Sequence, residues 1–260
     1  MADQTEDRIV DVPSNPRPEG ARIIWFEGVS GRKLRACVAP ATRETPRGTA
    51  IVCPGRTEFI EKYFKVAHDL QARGFAVLII DWPGQGLSER LLDDPQKGHI
   101  DRFETFMGAL RNGLDAMEEL PRPSVSLAHS MGGAIALAAI GQDLVKVDAA
   151  AVCAPMWGLP LGRVQRFFIW AMRVKGRSDA IAQKPGPPER FEDNVVTYDR
   201  THWQINRDLT DAAPELSLGP VTWGWLGASL GIFNRISQPD VLHKIQIPVF
   251  VASAADERLV

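Results

Sequence analysis

Only three cysteines occur in the 260 residues, Cys37, Cys53 and Cys153. Their odd number, wide separation and lack of metal-ligand spacing exclude a disulfide framework and a thiolate metal site. They read as small buried apolar residues in a reducing compartment. An excess of basic charge is also lacking: 30 Lys and Arg face 32 Asp and Glu, a net charge of -2, so no nucleic-acid partner is expected. The opening MADQTEDRIVDVP is acidic and has neither the basic nor the apolar region of a signal peptide, which points to the cytoplasm. One uncharged stretch, 216–234, approaches membrane-spanning length, but Gly219, Pro220, Gly224, Gly227 and Gly231 interrupt it. It reads as a buried or surface-apolar segment. What remains is a globular composition, 45% hydrophobic and 24% charged with 22 Gly and 19 Pro, which rules out disorder, collagen and coiled coil.

Short β-branched and apolar runs recur at 23–26, 34–39, 50–53, 76–81, 124–128, 149–153 and 249–252. The first two read as a hairpin. From 50 onward strands alternate with helical patterns at 61–73, 102–120 and 131–141, which predicts right-handed βαβ units and a mostly parallel sheet. Ligands then belong beyond the carboxyl ends of the strands. The alternation stops after Cys153, and roughly 85 residues with aromatic helices and a Lys-Pro-Gly-Pro-Pro break (184–188) intervene before it resumes. The expected organisation is an α/β core over 1–153, a helical cap inserted over 154–239, and a return to the core over 240–260.

The sharpest chemical signal is S-V-S-L-A-H-S-M-G-G-A-I-A-L (124–137): an apolar strand, Ser130 among small residues, then a helix. Ala128, Gly132 and Gly133 permit a sharp turn and close helix–strand packing, the pattern of a nucleophile elbow with Ala for its first Gly. A serine nucleophile also needs donors for an oxyanion. The backbone N–H of Met131 at the helix start is one. The loop after strand 50–53 provides the other, with Gly55 allowing an unusual backbone that aims the N–H of Arg56 inward.

P-G-R-T-E (54–58), D-W-P-G-Q-G-L-S (81–88), G-H-I-D-R-F (98–103), A-H-S-M-G-G (128–133), C-A-P-M-W-G (153–158) and S-A-A-D-E-R-L-V (253–260) together resemble the bacterial lysophospholipases of the monoacylglycerol-lipase type. These are serine hydrolases with an α/β-hydrolase fold, a mostly parallel sheet with flanking helices and an inserted cap. The resemblance implies no metal and no cofactor. It implies cleavage of the carboxylic ester of a single-chain lipid, lysophospholipid or monoacylglycerol, through an acyl-enzyme on Ser130.

Chain order places the acid after the serine and the histidine last. Asp256, in the turn after the last apolar run, matches the family's acid position. None of His68, His99, His129, His202 and His243 stands where the resemblance puts the base, which is expected beyond Val260 with a further strand and helix. Five of the seven tryptophans lie in the cap region, and Gly55, Trp157, Phe168 and Trp170 are the candidate substrate contacts. Between 149 and 178 there are five cations and no acid. Arg163, Arg166, Arg173 and Arg177 share a stripe with Trp170, while Leu161, Val164, Phe168 and Met172 occupy another face, so peripheral contact with an anionic membrane surface at its inner, cytoplasmic side is a further expectation. The alternatives are a general short-chain esterase or thioesterase, and a non-catalytic lipid-binding protein without the histidine.

Overall fold

The computed structural model describes residues 7–117, 119–183, 186, 190–194 and 196–255. Its centre is built from runs too apolar to face water on either side. Gly48–Cys53 (β3) is buried throughout and Phe75–Ile80 (β4, FAVLII) nearly so, the composition of strands covered on both faces. They pair in parallel with each other, and β3 continues to Ser124–His129 (β5), Ala149–Cys153 (β6) and Val249–Ala252 (β7), all parallel. Arg22–Glu27 (β1) and Lys33–Ala39 (β2) form the expected antiparallel hairpin, which joins the sheet through β2 and β4. The order is β1-β2-β4-β3-β5-β6-β7, the mixed, mostly parallel sheet of an α/β-hydrolase.

Alternate side chains of each strand feed two cores. Val77 and Ile79 of β4 join Cys37, Val52, Ile60, Phe64 and Ala67 beneath helix Phe64–Ala72 (α1), whereas Leu78 and Ile80 face Glu104–Asp115 (α2), Met131–Gly141 (α3) and Trp223–Ile236 (α6). Every residue of α3 is buried, as a helix apolar on all sides must be. It packs on β5, α2 and α6. The predicted helix over 61–73 is a 3-10 turn, Ile60–Tyr63, running into α1, and α2 is shorter than predicted at both ends.

Between β6 and β7 stand Arg163–Val174 (α4), Arg200–Ala212 (α5), α6 and the short Pro239–Leu242 (α7). Helix α6 rests on α3, and α4 rests on α6. The uncharged stretch at 216–234 therefore becomes mainly α6, and among the described residues no helix is long and apolar enough to cross a membrane. Val10 and Val12 form a third core with Phe59, Leu209 and Leu216, a strap that patterning did not foresee. Cys37 and Cys53 are buried thiols as expected, but Cys153, at the end of β6, is exposed.

Candidate active site

Ser130 sits between β5 and α3 with φ 49° and ψ -119°, a left-handed conformation that costs a non-glycine residue energy and persists only where neighbours enforce it. Those neighbours are identifiable. Its N–H donates to the Cys153 carbonyl at 3.1 Å, and its carbonyl accepts from Gly133 at 2.9 Å and Met156 at 2.9 Å. A Cβ on Gly132 would stand 2.1 Å from the Cys53 carbonyl oxygen and 2.5 Å from that of Pro54. Only glycine lets the start of α3 lie against the end of β3.

That contact brings the 54–58 loop onto the elbow. Trp82 donates from Nε1 to the Pro54 carbonyl at 2.7 Å, and Gln85 Nε2 donates to Gly55 O at 3.0 Å. The Gly55 N–H donates to Glu58 Oε2 at 2.5 Å and the Thr57 N–H to Gln85 Oε1 at 3.2 Å. The amide between them, that of Arg56, has no acceptor among the described residues, and neither has that of Met131. The positive φ of this loop falls on Thr57, at 61°, and not on Gly55. Gly55 is needed for space: a Cβ there would meet Glu58 Oε2 at 2.8 Å and His129 Nδ1 at 3.1 Å.

Glu58 is the electrostatic hub. Its buried carboxylate accepts from Lys62 Nζ at 2.7 Å and from Tyr63 Oη, and lies 3.1 Å from His129 Nδ1. Burial opposes its charge, but the hydrogen bond to His129 and the nearby Lys62 outweigh that and hold the carboxyl well below its ordinary range. Burial and the same carboxylate push the Tyr63 phenol well above its usual value. Behind the loop, Arg35 bridges Glu61 and Asp81, all with fully buried side chains, and Asp81 Oδ1 accepts the Ile60 N–H at 2.8 Å.

The model of the family described as "Serine aminopeptidase, S33" matches residues 44–260. The chain belongs to that family. This serine aminopeptidase-family chain is 35% identical to Lysophospholipase L2 of Escherichia coli (strain K12) over 189 residues, 69% of this chain and 55% of that protein. It is 29% identical to Probable lysophospholipase L2 of Haemophilus influenzae over 220 residues, 82% of this chain and 69% of that one. The chain thus spans about half the length of the first of these curated relatives. Among solved structures, a thermostable carboxyl esterase from Bacillus coagulans in complex with glycerol aligns with TM-score 0.65 at 15% identity, covering 88% of this chain and 78% of that one. It shares the fold.

Within the family chain, the 53–55 backbone lies against Gly132 and His129 on either side of the elbow, which Ser130 and Met131 form, and Trp157 follows Met156, whose N–H donates to the Ser130 carbonyl. Phe168 and Trp170 lie on α4, 53% and 60% exposed. Asp256 lies outside the described residues. Among the histidines, His129 faces Glu58, His99 Nδ1 pairs with Thr222 Oγ1 at 2.8 Å, His202 with Asp199 and His68 with the Pro16 carbonyl. Glu58, Trp82 and Gln85 carry the loop and were given no task by sequence reasoning, although all three stand in the motifs quoted above. Their signal was a polar or indole side chain inside an otherwise small-residue loop.

Proposed function

We propose that this chain carries the nucleophile and oxyanion donors of a carboxylic ester hydrolase for single-chain lipids. The observation that carries this reading is a serine held at a strained elbow, followed by the unpaired Met131 amide, with the unpaired Arg56 amide in the loop whose Cys53 and Pro54 carbonyls lie against Gly132. Ser130 Oγ attacks the ester carbonyl and gives its proton to the base; the oxyanion rests between the two amides. Collapse expels the glycerol-side alcohol, which takes the proton, and water then releases the fatty acid from the acyl-serine. Asp256 is proposed as the acid that orients the base. In chain order the base follows Asp256, and none of the five histidines in these 260 residues stands there.

The lipid class is supported by the names of the two bacterial relatives, while the family description names a peptidase. The distinguishing experiment, run on a protein that includes the base, is a panel of lysophospholipid, monoacylglycerol, short-chain p-nitrophenyl ester and aminoacyl p-nitroanilide, with Ser130→Ala as control. Ester turnover that Ser130→Ala reduces by at least about 1,000-fold supports the reading. Turnover of the anilide alone overturns the substrate class, and activity surviving in Ser130→Ala overturns the nucleophile.

A membrane partner is proposed for α4. Val164, Phe167, Phe168, Trp170 and Val174 are 53–69% exposed, and Ile169 is the only buried residue of the helix. Arg163, Arg166, Arg173, Lys175 and Arg177 are interleaved with them. Aromatic and aliphatic side chains between cations suit an anionic bilayer surface.

A further inference from the structure

Two arginines, Arg35 and Arg56, lie deep beside the 54–58 loop, and their compensation differs sharply. Arg35 donates to Glu61 Oε1 and Oε2 at 2.9 and 2.8 Å and to Asp81 Oδ2 at 2.7 Å. Arg56 meets no carboxylate within ion-pair distance among the described residues. Its Nη2 donates to the Gly219 carbonyl at 2.5 Å, and its guanidinium carbon stands 5.5 Å from the centre of the Trp225 ring. Its Nε is sealed from solvent without any acceptor among the described residues. One carbonyl and one ring face offset only part of the cost of withdrawing a guanidinium from water. Desolvation accordingly draws its pKa down to about 10.

The space around this group is specific. Gly98 closes one side, where a Cβ would stand 2.6 Å from Nη2. A gap of about 10 Å³, bordered by Arg56, Gln85, Gly98, His99 and Trp225, is close to the volume that admits one water-sized atom. A single anionic oxygen fits that description. Covalent reach agrees as well. The same number of bonds separates the Arg56 amide nitrogen from its guanidinium carbon as separates the ester carbonyl carbon of a 1-acylglycerol 3-phosphate from its phosphorus. A phosphate on such an ester is thus of the same length as the Arg56 side chain whose amide would hold the oxyanion.

We propose that Arg56 is a headgroup-recognition residue, its guanidinium pairing with the phosphate of a phosphate-bearing single-chain lipid ester bound at the Ser130 elbow. This rests on the ester-hydrolase reading above, and it selects lysophospholipid over monoacylglycerol within that class. A neutral glycerol ester leaves the cation uncompensated, whereas a phosphate oxygen supplies both the missing charge and an acceptor for the N–H groups.

The test is calorimetric binding of ether analogues that cannot be cleaved, so turnover does not enter. The probes are 1-O-hexylglycerol 3-phosphate, 1-O-hexylglycerol and inorganic phosphate, each below its micellar concentration. The wild-type chain should bind the phosphate-bearing ether at least about 30-fold more tightly than the neutral one, Arg56→Met should bring the two within about threefold, and Arg56→Lys should retain part of the difference. Equal binding of both ethers by the wild-type chain overturns the proposal without any variant. A ratio unchanged in a folded Arg56→Met overturns the residue. Inorganic phosphate binding as tightly as the phosphate ether overturns the lipid headgroup as the source. Fluorophosphonate labelling of Ser130, run in parallel on a protein that includes the base, reports on the hydrolase reading alone: failure to label with the binding ratio intact removes the reaction and leaves the phosphate site.

Discussion

At Glu58 a single carboxylate joins four groups that otherwise have nothing in common: the amide of Gly55, the side chains of Lys62 and Tyr63, and the ring of His129 one residue before the elbow. Its charge fixes which loop amide is occupied and which is left free. Because its folded pKa lies below the unfolded value of 4.5, its contribution to stability is complete above about pH 4.5 and is lost as pH falls through the folded value. Glu58→Gln should therefore cost about 2–3 kcal/mol at pH 7, and the gap to the wild type should narrow steadily below pH 4.5. Urea denaturation at pH 7, 5 and 4 checks both the size and the sign. Gly55 shows what residue-level reading got wrong here. It suggested glycine for an unusual φ, yet the loop places that φ on Thr57 and uses Gly55 for its lack of a side chain.

Helix α4 shows the corresponding limit at the scale of elements. Its alternation of arginine and apolar residues was visible in sequence, but periodicity cannot say whether an apolar face is covered; here only Ile169 is. Strands fared better because β3 and β4 are buried on both sides and their continuous apolar runs have no other explanation. The start of α3 at Met131 was legible for a similar reason, since a strand, small residues and an apolar helix leave little freedom. The partners of the loop were not legible: Trp82 and Gln85 reach it from β4's far end, and side-chain direction after a strand is set by backbone turns that patterning does not resolve. For α4, reversing Arg163 and Arg166 to Glu, away from the packing of Arg173 against Gly227, should weaken cosedimentation with anionic vesicles by at least about tenfold at low salt. The effect should fade at high salt. Vesicle binding that is equal for both proteins at low salt would remove the proposed partner.

Across the whole molecule, the third core is what connects distant parts. Val10 and Val12 near the N-terminus pack with Phe59, next to Glu58, and with Leu209 and Leu216 from the region between β6 and β7. Asn15 adds a hydrogen bond to the Glu61 carbonyl at 2.8 Å. The strap thus fastens α5 to the loop that carries Arg56. Val12→Asp, which buries a carboxylate without a partner, should lower stability by about 2–4 kcal/mol. It should also speed proteolytic cleavage around α5 before the sheet unfolds; simultaneous loss of both would show that the strap is not a separate unit.

The wholly buried α3 has a kinetic consequence. Its amides are screened by β5 on one side and by α2 and α6 on the others, so they can reach deuterium only when the entire domain opens, whereas α4 rests mainly on α6 and opens locally. In a hydrogen-exchange time course, protection in α3 should equal the global unfolding free energy and respond to urea with the full slope, while α4 should exchange orders of magnitude faster with little urea dependence. The serine's platform and the outer helix would then keep separate clocks, and α4 could rearrange at a surface many times during the life of one folded elbow.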